Sequence, residues 1–118
     1  LCPLHYNMEK LHKKKCVACD GNTQAFNTSE ILKYLKKIDS WQVKNNEKKK
    51  FYLVKNFKFK NFIQSKKFVN KVCAIAENES HHPDINFGWG YAKIKIYTHV
   101  VKGLSESDFV LAAKIDQI

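Results

Sequence analysis

The sequence predicts an α+β fold in which a four-stranded antiparallel sheet carries three helices on one face, in the order α-β-β-α-β-β-α. Three segments space their apolar residues at helical intervals, and four short segments alternate apolar and polar residues as strands do. The 118 residues are enough to bury one hydrophobic core. We therefore expect one domain over residues 28–118, preceded by a loosely ordered extension over residues 1–27.

The extension contains a pair of cysteines, Cys16-x-x-Cys19, but no sustained apolar periodicity. Two cysteines at this spacing can form half of a zinc site, form a redox pair, or have no function. A complete zinc site needs two more ligands, and the nearby candidates lack the usual spacing of a second pair. Those candidates are Cys2, His5 and His12.

The first helix is predicted to start at a cap on Asn27 or Thr28 and to end near Ile38. Asparagine and threonine are both common caps, because their side chains accept a hydrogen bond from the first helical turn. The apolar residues that follow lie on one helical face, which we expect to pack into the core. They are Ile31, Leu32, Leu35 and Ile38.

Two strands and a longer helix come next. Trp41–Val43 begins a strand, Lys44–Lys50 forms a polar turn, and Phe51–Phe57 alternates as a second strand. Phe59–Ala76 then has helical spacing. The side chains expected to face inward are Phe51, Leu53 and Phe57 from the strand, and Phe62, Val69, Val72, Cys73 and Ala76 from the helix.

The last two strands are predicted to form a hairpin. Residues 84–89 and 92–99 alternate in polarity, and Gly90-Tyr91 between them has the length of a two-residue turn. In this register Trp89 pairs with Ala92, next to the turn. The same register places His82 opposite His99 at the open end of the hairpin. Directly opposed residues have Cβ atoms about 4.5–5.5 Å apart. Imidazoles that are distant in sequence are therefore expected to be neighbours.

The third helix is predicted to start after Ser105, which is a good cap. Asp108 follows three residues later, where it can act as the acidic member of a capping box. A carboxylate at this position, a few residues after His99, can also orient an imidazole. The two roles of Asp108 are compatible.

Three of the five histidines, His81, His82 and His99, are thus predicted to converge at one end of the hairpin. Histidine has an unperturbed pKa of about 6.5, so it can give or take a proton near neutral pH. A cluster of imidazoles therefore predicts acid/base chemistry. A single histidine would not, because most are surface or core residues.

A metal site is the rival interpretation of this cluster. Pro83 favours an extended backbone at His82, and neighbouring side chains of an extended chain point to opposite faces. His81 and His82 are therefore poorly placed to chelate one ion, although Asp84 and Glu77 could supply oxygen ligands. We favour acid/base chemistry.

The chain has a formal net charge of +10, and all of its basic residues other than histidine are lysine. Arginine is the residue that most often reads guanine edges, so its absence disfavours sequence-specific recognition of nucleic acid. Loose, salt-dependent attraction to phosphates remains an alternative function. We expect most lysines to form a solvated surface.

We expect neither a membrane span nor a secretory leader in this sequence. It contains no run of 18 apolar residues and no apolar signal region near its start. The few cysteines do not resemble the framework of a disulfide-rich secreted fold. These features favour a reducing compartment, and we expect a cytoplasmic or also nuclear protein.

One family shares these features. The motif Glu77-x-x-x-His81-His82-Pro83, followed by Thr98-His99, Gly103-Leu104 and Asp108 at their spacings, resembles the pterin-4a-carbinolamine dehydratases. The spacing of the histidines is specific, whereas His-His-Pro alone would be a weak signal. The resemblance covers about residues 28–117. It also includes Trp41, the segment 57–62 and Ala76.

The resemblance implies an activity and partners. Enzymes of this family dehydrate 4a-hydroxytetrahydropterins to quinonoid dihydropterins, a step in tetrahydrobiopterin recycling, and need neither metal nor cofactor. It implies homodimers or homotetramers. Animal members also bind the dimerisation helices of a homeodomain transcription factor, which implies a possible helical protein partner. Members carry a similar Cys-x-x-Cys pair, which implies a structural or incidental role for Cys16 and Cys19.

The resemblance also implies roles for individual residues. His81 and His99 would be the general acid and base, His82 would mainly hold the pterin, and Asp108 would be a further catalytic carboxylate. Many members have an acidic residue after the Thr-His pair, whereas this chain has Val100. The residues implied to bind substrate are Glu77, His81, His82, Pro83, Thr98, His99, Val100 and Val101.

Overall fold

The computed structural model describes residues 11–17 and 24–118, and it confirms the predicted α+β fold. Across these residues, no helix is both long enough and apolar enough to cross a lipid bilayer. A short 3-10 turn, Leu11–Lys13, comes first. The other elements are α1 (Thr28–Leu35), β1 (Gln42–Asn45), β2 (Phe51–Lys58), α2 (Phe62–Glu79), β3 (Asp84–Gly88), β4 (Tyr91–Ile96) and α3 (Glu106–Ile115).

The four strands form one antiparallel sheet in the order β1-β2-β4-β3. Leu53 pairs with Ile96, and Ile94 pairs with Ile85, so these side chains share the face that packs against the helices. Successive residues of a strand point to opposite faces. Tyr52 and Lys95 therefore lie on the other face, which no helix covers among the described residues.

The turn of the last hairpin differs from the predicted one. Gly88 pairs with Tyr91, so the turn residues are Trp89 and Gly90 rather than Gly90 and Tyr91. Gly90 has a φ of 79°, and a β-carbon there would lie 3.1 Å from the carbonyl oxygen of Phe59. The amide of Phe59 also donates to the carbonyl of Gly90 at 2.8 Å. This contact between distant segments holds the turn in its position.

The prediction that His82 lies directly opposite His99 is therefore wrong. The register is displaced by two residues, which leaves every side chain on its predicted face. Carried to the open end, this register sets His82 opposite Tyr97. His99 lies beyond β4, which ends at Ile96.

The first helix starts as predicted and ends earlier. Asn27 is the cap: its side chain accepts from the amide of Glu30, and the carboxylate of Glu30 accepts from the amide of Asn27. The helix ends at Leu35 rather than Ile38. Ile31 is buried, but Leu32 is 55% exposed, contrary to the prediction.

The second helix starts three residues later than predicted, because Asn61 caps it. With this start, the inward positions are occupied by Ser65, Phe68, Val69, Val72 and Ala76. Two residues that we predicted to face inward are exposed instead. They are Phe62 and Cys73.

Residues 11–17, from the predicted extension, pack against the domain. Leu11 is part of the hydrophobic core. The amide of Cys16 donates to Glu79 at 2.8 Å, and the amide of Val17 donates to the hydroxyl of Ser107 at 2.9 Å. Leu11, Cys16 and Val17 thus connect this segment to the domain, although the side chains of Lys13, Lys14, Lys15 and Val17 are exposed. The remainder of the extension outside the described residues comprises residues 1–10 and 18–23, including Cys2, His5 and Cys19.

The contact between Glu79 and Cys16 leads to a prediction about acid stability. The Glu79 side chain is 4% exposed, and the amide hydrogen bond from Cys16, followed by the charge of Lys114, lowers the pKa of its carboxyl. A carboxylate with a lowered pKa stabilises the folded protein fully above its unfolded pKa of about 4.3. This stabilisation is lost as the pH falls through the folded pKa.

We expect Glu79→Gln to lower the free energy of unfolding at pH 7 by about 1 kcal/mol, and to flatten its fall below about pH 4.3. Urea unfolding of the two proteins across this pH range measures both effects. Glu47→Gln is the control, because Glu47 is exposed in the β1–β2 turn. An unchanged acid dependence in Glu79→Gln would contradict the prediction.

Candidate active site

The C-terminal end of α2 positions His81 and His82. Ser80 has a left-handed backbone with a φ of 54°, which stops the helix and turns the chain. The amide of His81 then donates back to the carbonyl of Ala76 at 3.1 Å. The two histidines consequently lie between α2 and the start of β3.

A tight turn after β4 positions His99. Thr98 and Gly103 close this turn with reciprocal backbone hydrogen bonds of 2.9 and 3.3 Å. Lys102 takes a left-handed φ of 54°. His99 and Val100 are exposed at this turn, whereas Thr98 is buried.

The three histidines line one cavity of about 710 Å³, as the sequence predicted. Thr98 and Val100 also line it. The other residues named from the sequence, Glu77, Pro83, Val101 and Asp108, do not. The other described residues that line it are Lys15, Cys16, Val17, Asn78, Glu79, Ser80, Tyr97 and Ser107.

Asp108 is a fully buried carboxylate behind His81. Its Oδ1 lies 2.7 Å from Nε2 of His81. Its Oδ2 accepts from the Thr98 hydroxyl at 2.8 Å and from the Ser105 amide at 2.8 Å. The contact with the Ser105 amide is the predicted helix-capping role. The contact with His81 is the predicted contact with an imidazole.

The contact with Asp108 determines which imidazole nitrogen of His81 carries a proton. A carboxylate accepts hydrogen bonds, so Nε2 of His81 must donate. Nδ1 is then the nitrogen left for a ligand. The same carboxylate stabilises the positive charge that His81 acquires when Nδ1 takes a proton.

His82 and His99 have weaker protein contacts. Nε2 of His82 lies 3.3 Å from a carboxylate oxygen of Glu77, and the two side chains are 61% and 82% exposed. An exposed pair of this kind contributes little to the free energy of folding. The ring of His99 packs against that of Tyr97, with centroids 4.5 Å apart.

Cys16 is a cavity residue that the sequence did not assign to the site. Burial, followed by the charge of Glu79, raises the pKa of its thiol to about 12. A thiol in this state is a poor nucleophile near neutral pH. Its position depends on the packing of residues 11–17, for which the sequence has no periodic signal.

The described residues contain no group of three histidine, cysteine or acidic side chains placed to hold a metal ion.

The chain is similar to known proteins over most of its length. The family model of pterin 4 alpha carbinolamine dehydratase matches residues 24–118. A protein from Rubrobacter xylanophilus is 40% identical over 111 residues, which are 94% of this chain and all of the relative. One from Rickettsia canadensis is 44% identical over 110 residues, which are 92% of this chain and 97% of the relative. Both are provisionally named pterin-4-alpha-carbinolamine dehydratases.

Two solved structures share the fold. The crystal structure of a transcriptional coactivator/pterin dehydratase from Brucella melitensis has a TM-score of 0.71 and 26% identity, over 80% of this chain and 97% of that one. A pterin dehydratase-like RuBisCO assembly factor of the alpha-carboxysome has a TM-score of 0.57 and 28% identity, over 67% of this chain and 88% of that one. The chain therefore belongs to the pterin 4 alpha carbinolamine dehydratase family, a family of hydro-lyases.

Proposed function

We propose that this protein converts a pterin-4a-carbinolamine to the quinonoid dihydropterin and water by histidine acid/base catalysis. The observation that carries the proposal is the cavity lined by His81, His82 and His99, with the buried carboxylate of Asp108 behind His81. Family membership supports the same substrate class. We propose that the reaction serves the recycling of a tetrahydropterin such as tetrahydrobiopterin.

The reaction needs one proton donor and one proton acceptor. The hydroxyl on C4a leaves as water after it receives a proton, and the lone pair on N5 forms the new C4a=N5 double bond as the C–O bond breaks. N5 then gives its proton to a base, which leaves the neutral quinonoid product. Positioned side chains typically accelerate such transfers by about 10²–10⁴-fold.

We assign His81 as the base at N5 and His99 as the acid at the hydroxyl. Asp108 stabilises the imidazolium that His81 becomes, whereas exposed His99 can take up a proton from solvent. Asp108 does not touch the cavity, so it is a positioning residue in this assignment. His82, oriented by Glu77, would hold the pterin. The wall would comprise Thr98, Val100 and, next to them, Pro83 and Val101.

The decisive experiment is a stopped-flow assay of 4a-hydroxytetrahydropterin dehydration. We expect the intact protein to accelerate the reaction above its spontaneous rate, and the double variant His81→Ala, His99→Ala to lose this acceleration. His12→Ala is the matched control, because His12 lies in the N-terminal 3-10 turn and does not line the cavity. No acceleration by the intact protein would overturn the proposal.

A second candidate function is binding of a helical protein partner. Apolar side chains are exposed at the start of α2 and on the last hairpin, where the rings of Phe62 and Phe87 stack 5.6 Å apart. Exposed apolar patches commonly mark protein interfaces. Exposed lysines of α2 interrupt this apolar surface with positive charge. Self-association into dimers or tetramers would also cover exposed apolar side chains of this kind. If the intact protein did not accelerate dehydration in the stopped-flow assay, protein binding would be the remaining candidate. The patch comprises Phe62, Ile63, Phe87, Trp89 and Tyr91.

A further inference from the structure

A second cavity adjoins the histidine cavity. It has a volume of about 400 Å³ and lies where the β1–β2 turn approaches the uncovered face of the sheet. Tyr97 and His99 line both cavities, so this ring pair forms the border between them. A ligand in the histidine cavity can therefore extend past His99 into the second cavity, which we call the basic cavity.

The basic cavity concentrates positive charge. Among the described residues that line it, four are lysines and none is acidic. Within the part of the chain that the structure describes, none of their amines has a carboxylate oxygen within 4.0 Å. Lys55, Lys14 and Lys114 each have such a partner. The cavity lysines are Lys48, Lys50, Lys95 and Lys102.

The position of Lys95 shows how this charge is kept available. Asp84 is directly opposite Lys95 in the β3–β4 register, yet the two do not form an ion pair. The Lys95 amine instead lies over the ring of Tyr52, 4.3 Å from its centroid, and 5.7 Å from that of Tyr97. Aromatic faces attract a cation but leave its hydrogen-bond donors free for an anion.

We propose that the basic cavity binds an anionic substituent, a phosphate or a carboxylate, carried by the pterin substrate. This inference rests on the proposed function. In a pterin, C6 is bonded to N5, the atom that loses a proton in the reaction. A substituent on C6 therefore starts next to the reacting atoms and extends away from them. His99, which we place at the reacting atoms, also borders the basic cavity. The substrate class is then a carbinolamine with an anionic side chain.

The test uses pterins with the same ring and different C6 substituents. 6-Hydroxymethylpterin is neutral there, its phosphate ester carries the phosphate, and 6-carboxypterin carries a carboxylate. Titration of pterin fluorescence measures the affinity of each. We expect at least one of the two anionic pterins to bind about tenfold more tightly than the neutral one, and the arm that shows this identifies the anion.

The double variant Lys50→Gln, Lys95→Gln should bring the anionic and neutral affinities to within about twofold of each other, with the neutral affinity unchanged. The control is Lys58→Gln, Lys93→Gln, which removes the same charge from the same sheet outside the cavity. This control should keep the preference. Circular dichroism establishes that both variants fold.

The outcomes separate this inference from the proposed function. Equal affinities for all three pterins, with dehydration still accelerated, would overturn the inference alone. Absence of both pterin binding and acceleration would overturn both. A preference that survives in Lys50→Gln, Lys95→Gln would overturn the assignment of the cavity. Displacement of the ester by oligothymidylate, lost in this same variant, would assign the lysines to nucleic acid instead.

Discussion

Replacement of His81 or His99 by alanine is expected to lower kcat for carbinolamine dehydration at least about tenfold in each case. The two imidazoles act at different atoms, so neither can substitute for the other. His82→Ala is expected mainly to raise KM, because the proposed function assigns His82 to holding the pterin and assigns both proton transfers to the other two histidines. Steady-state kinetics of the three single variants measure this division.

His81→Ala is expected to have the larger effect of the two catalytic variants. It removes a base that has a carboxylate behind it, and it leaves Oδ1 of Asp108 without that partner. His99→Ala removes only an exposed ring that packs on Tyr97. Thermal unfolding of each variant shows whether the fold persists. Near-normal kcat in both variants would rule out the proposed acid/base pair.

The second large effect is expected from Asp108→Asn, which keeps the size of the side chain and removes its charge. We expect kcat to fall by about 10²-fold, since the developing imidazolium loses its counter-charge. KM should change little, because Asp108 does not line the cavity. The free energy of unfolding should fall by about 1–3 kcal/mol, as three buried hydrogen bonds to this carboxylate are weakened or lost.

A readout other than activity distinguishes positioning from general support of the fold. The nitrogen chemical shifts of the His81 imidazole report which nitrogen carries the proton. In the native protein we expect the proton on Nε2, and in Asp108→Asn a mixture of the two forms, because an amide can donate or accept. Ser107→Ala is a neighbouring control that should keep the Nε2 form. An unchanged kcat in Asp108→Asn would remove Asp108 from the mechanism.

Val100 affects the charge of the histidine cavity. It lies in the exposed turn after His99 and lines the histidine cavity without a charge. Nearby positive charge comes from Lys102 and, in the histidine cavity itself, from Lys15. The site is therefore more basic than it would be with an acidic residue at this position, which agrees with a substrate that carries an anionic side chain.

Local patterns account for the parts of this protein that could be predicted. The cap on Asn27, the alternation in β2 and the cap at Ser105 depend on residues a few positions apart, so the sequence contains all that is needed to find them. The convergence of the three histidines also follows from chain connectivity. A hairpin brings its two ends together even when its register is displaced by two residues.

The residues that were predicted wrongly depend on contacts between distant segments. The hairpin turn is held by Phe59, some thirty residues away from Gly90. The exposure of Phe62 and Cys73 also depends on distant segments, because β3, β4 and α3 pack on α2 and leave these two side chains uncovered. Packing between elements decides which residues turn the chain and which helix side chains are covered, and apolar spacing alone does not resolve either.

The sequence by itself therefore determined the order of the elements, the family and the cluster of histidines. Only the tertiary structure decided what surrounds that cluster: which of the imidazoles Asp108 contacts, the packing of residues 11–17 along one wall, and an adjoining cavity lined by lysines. The physical reason is that hydrogen bonds and charges act over a few ångströms in space. Residues tens of positions apart meet there only after the core has packed.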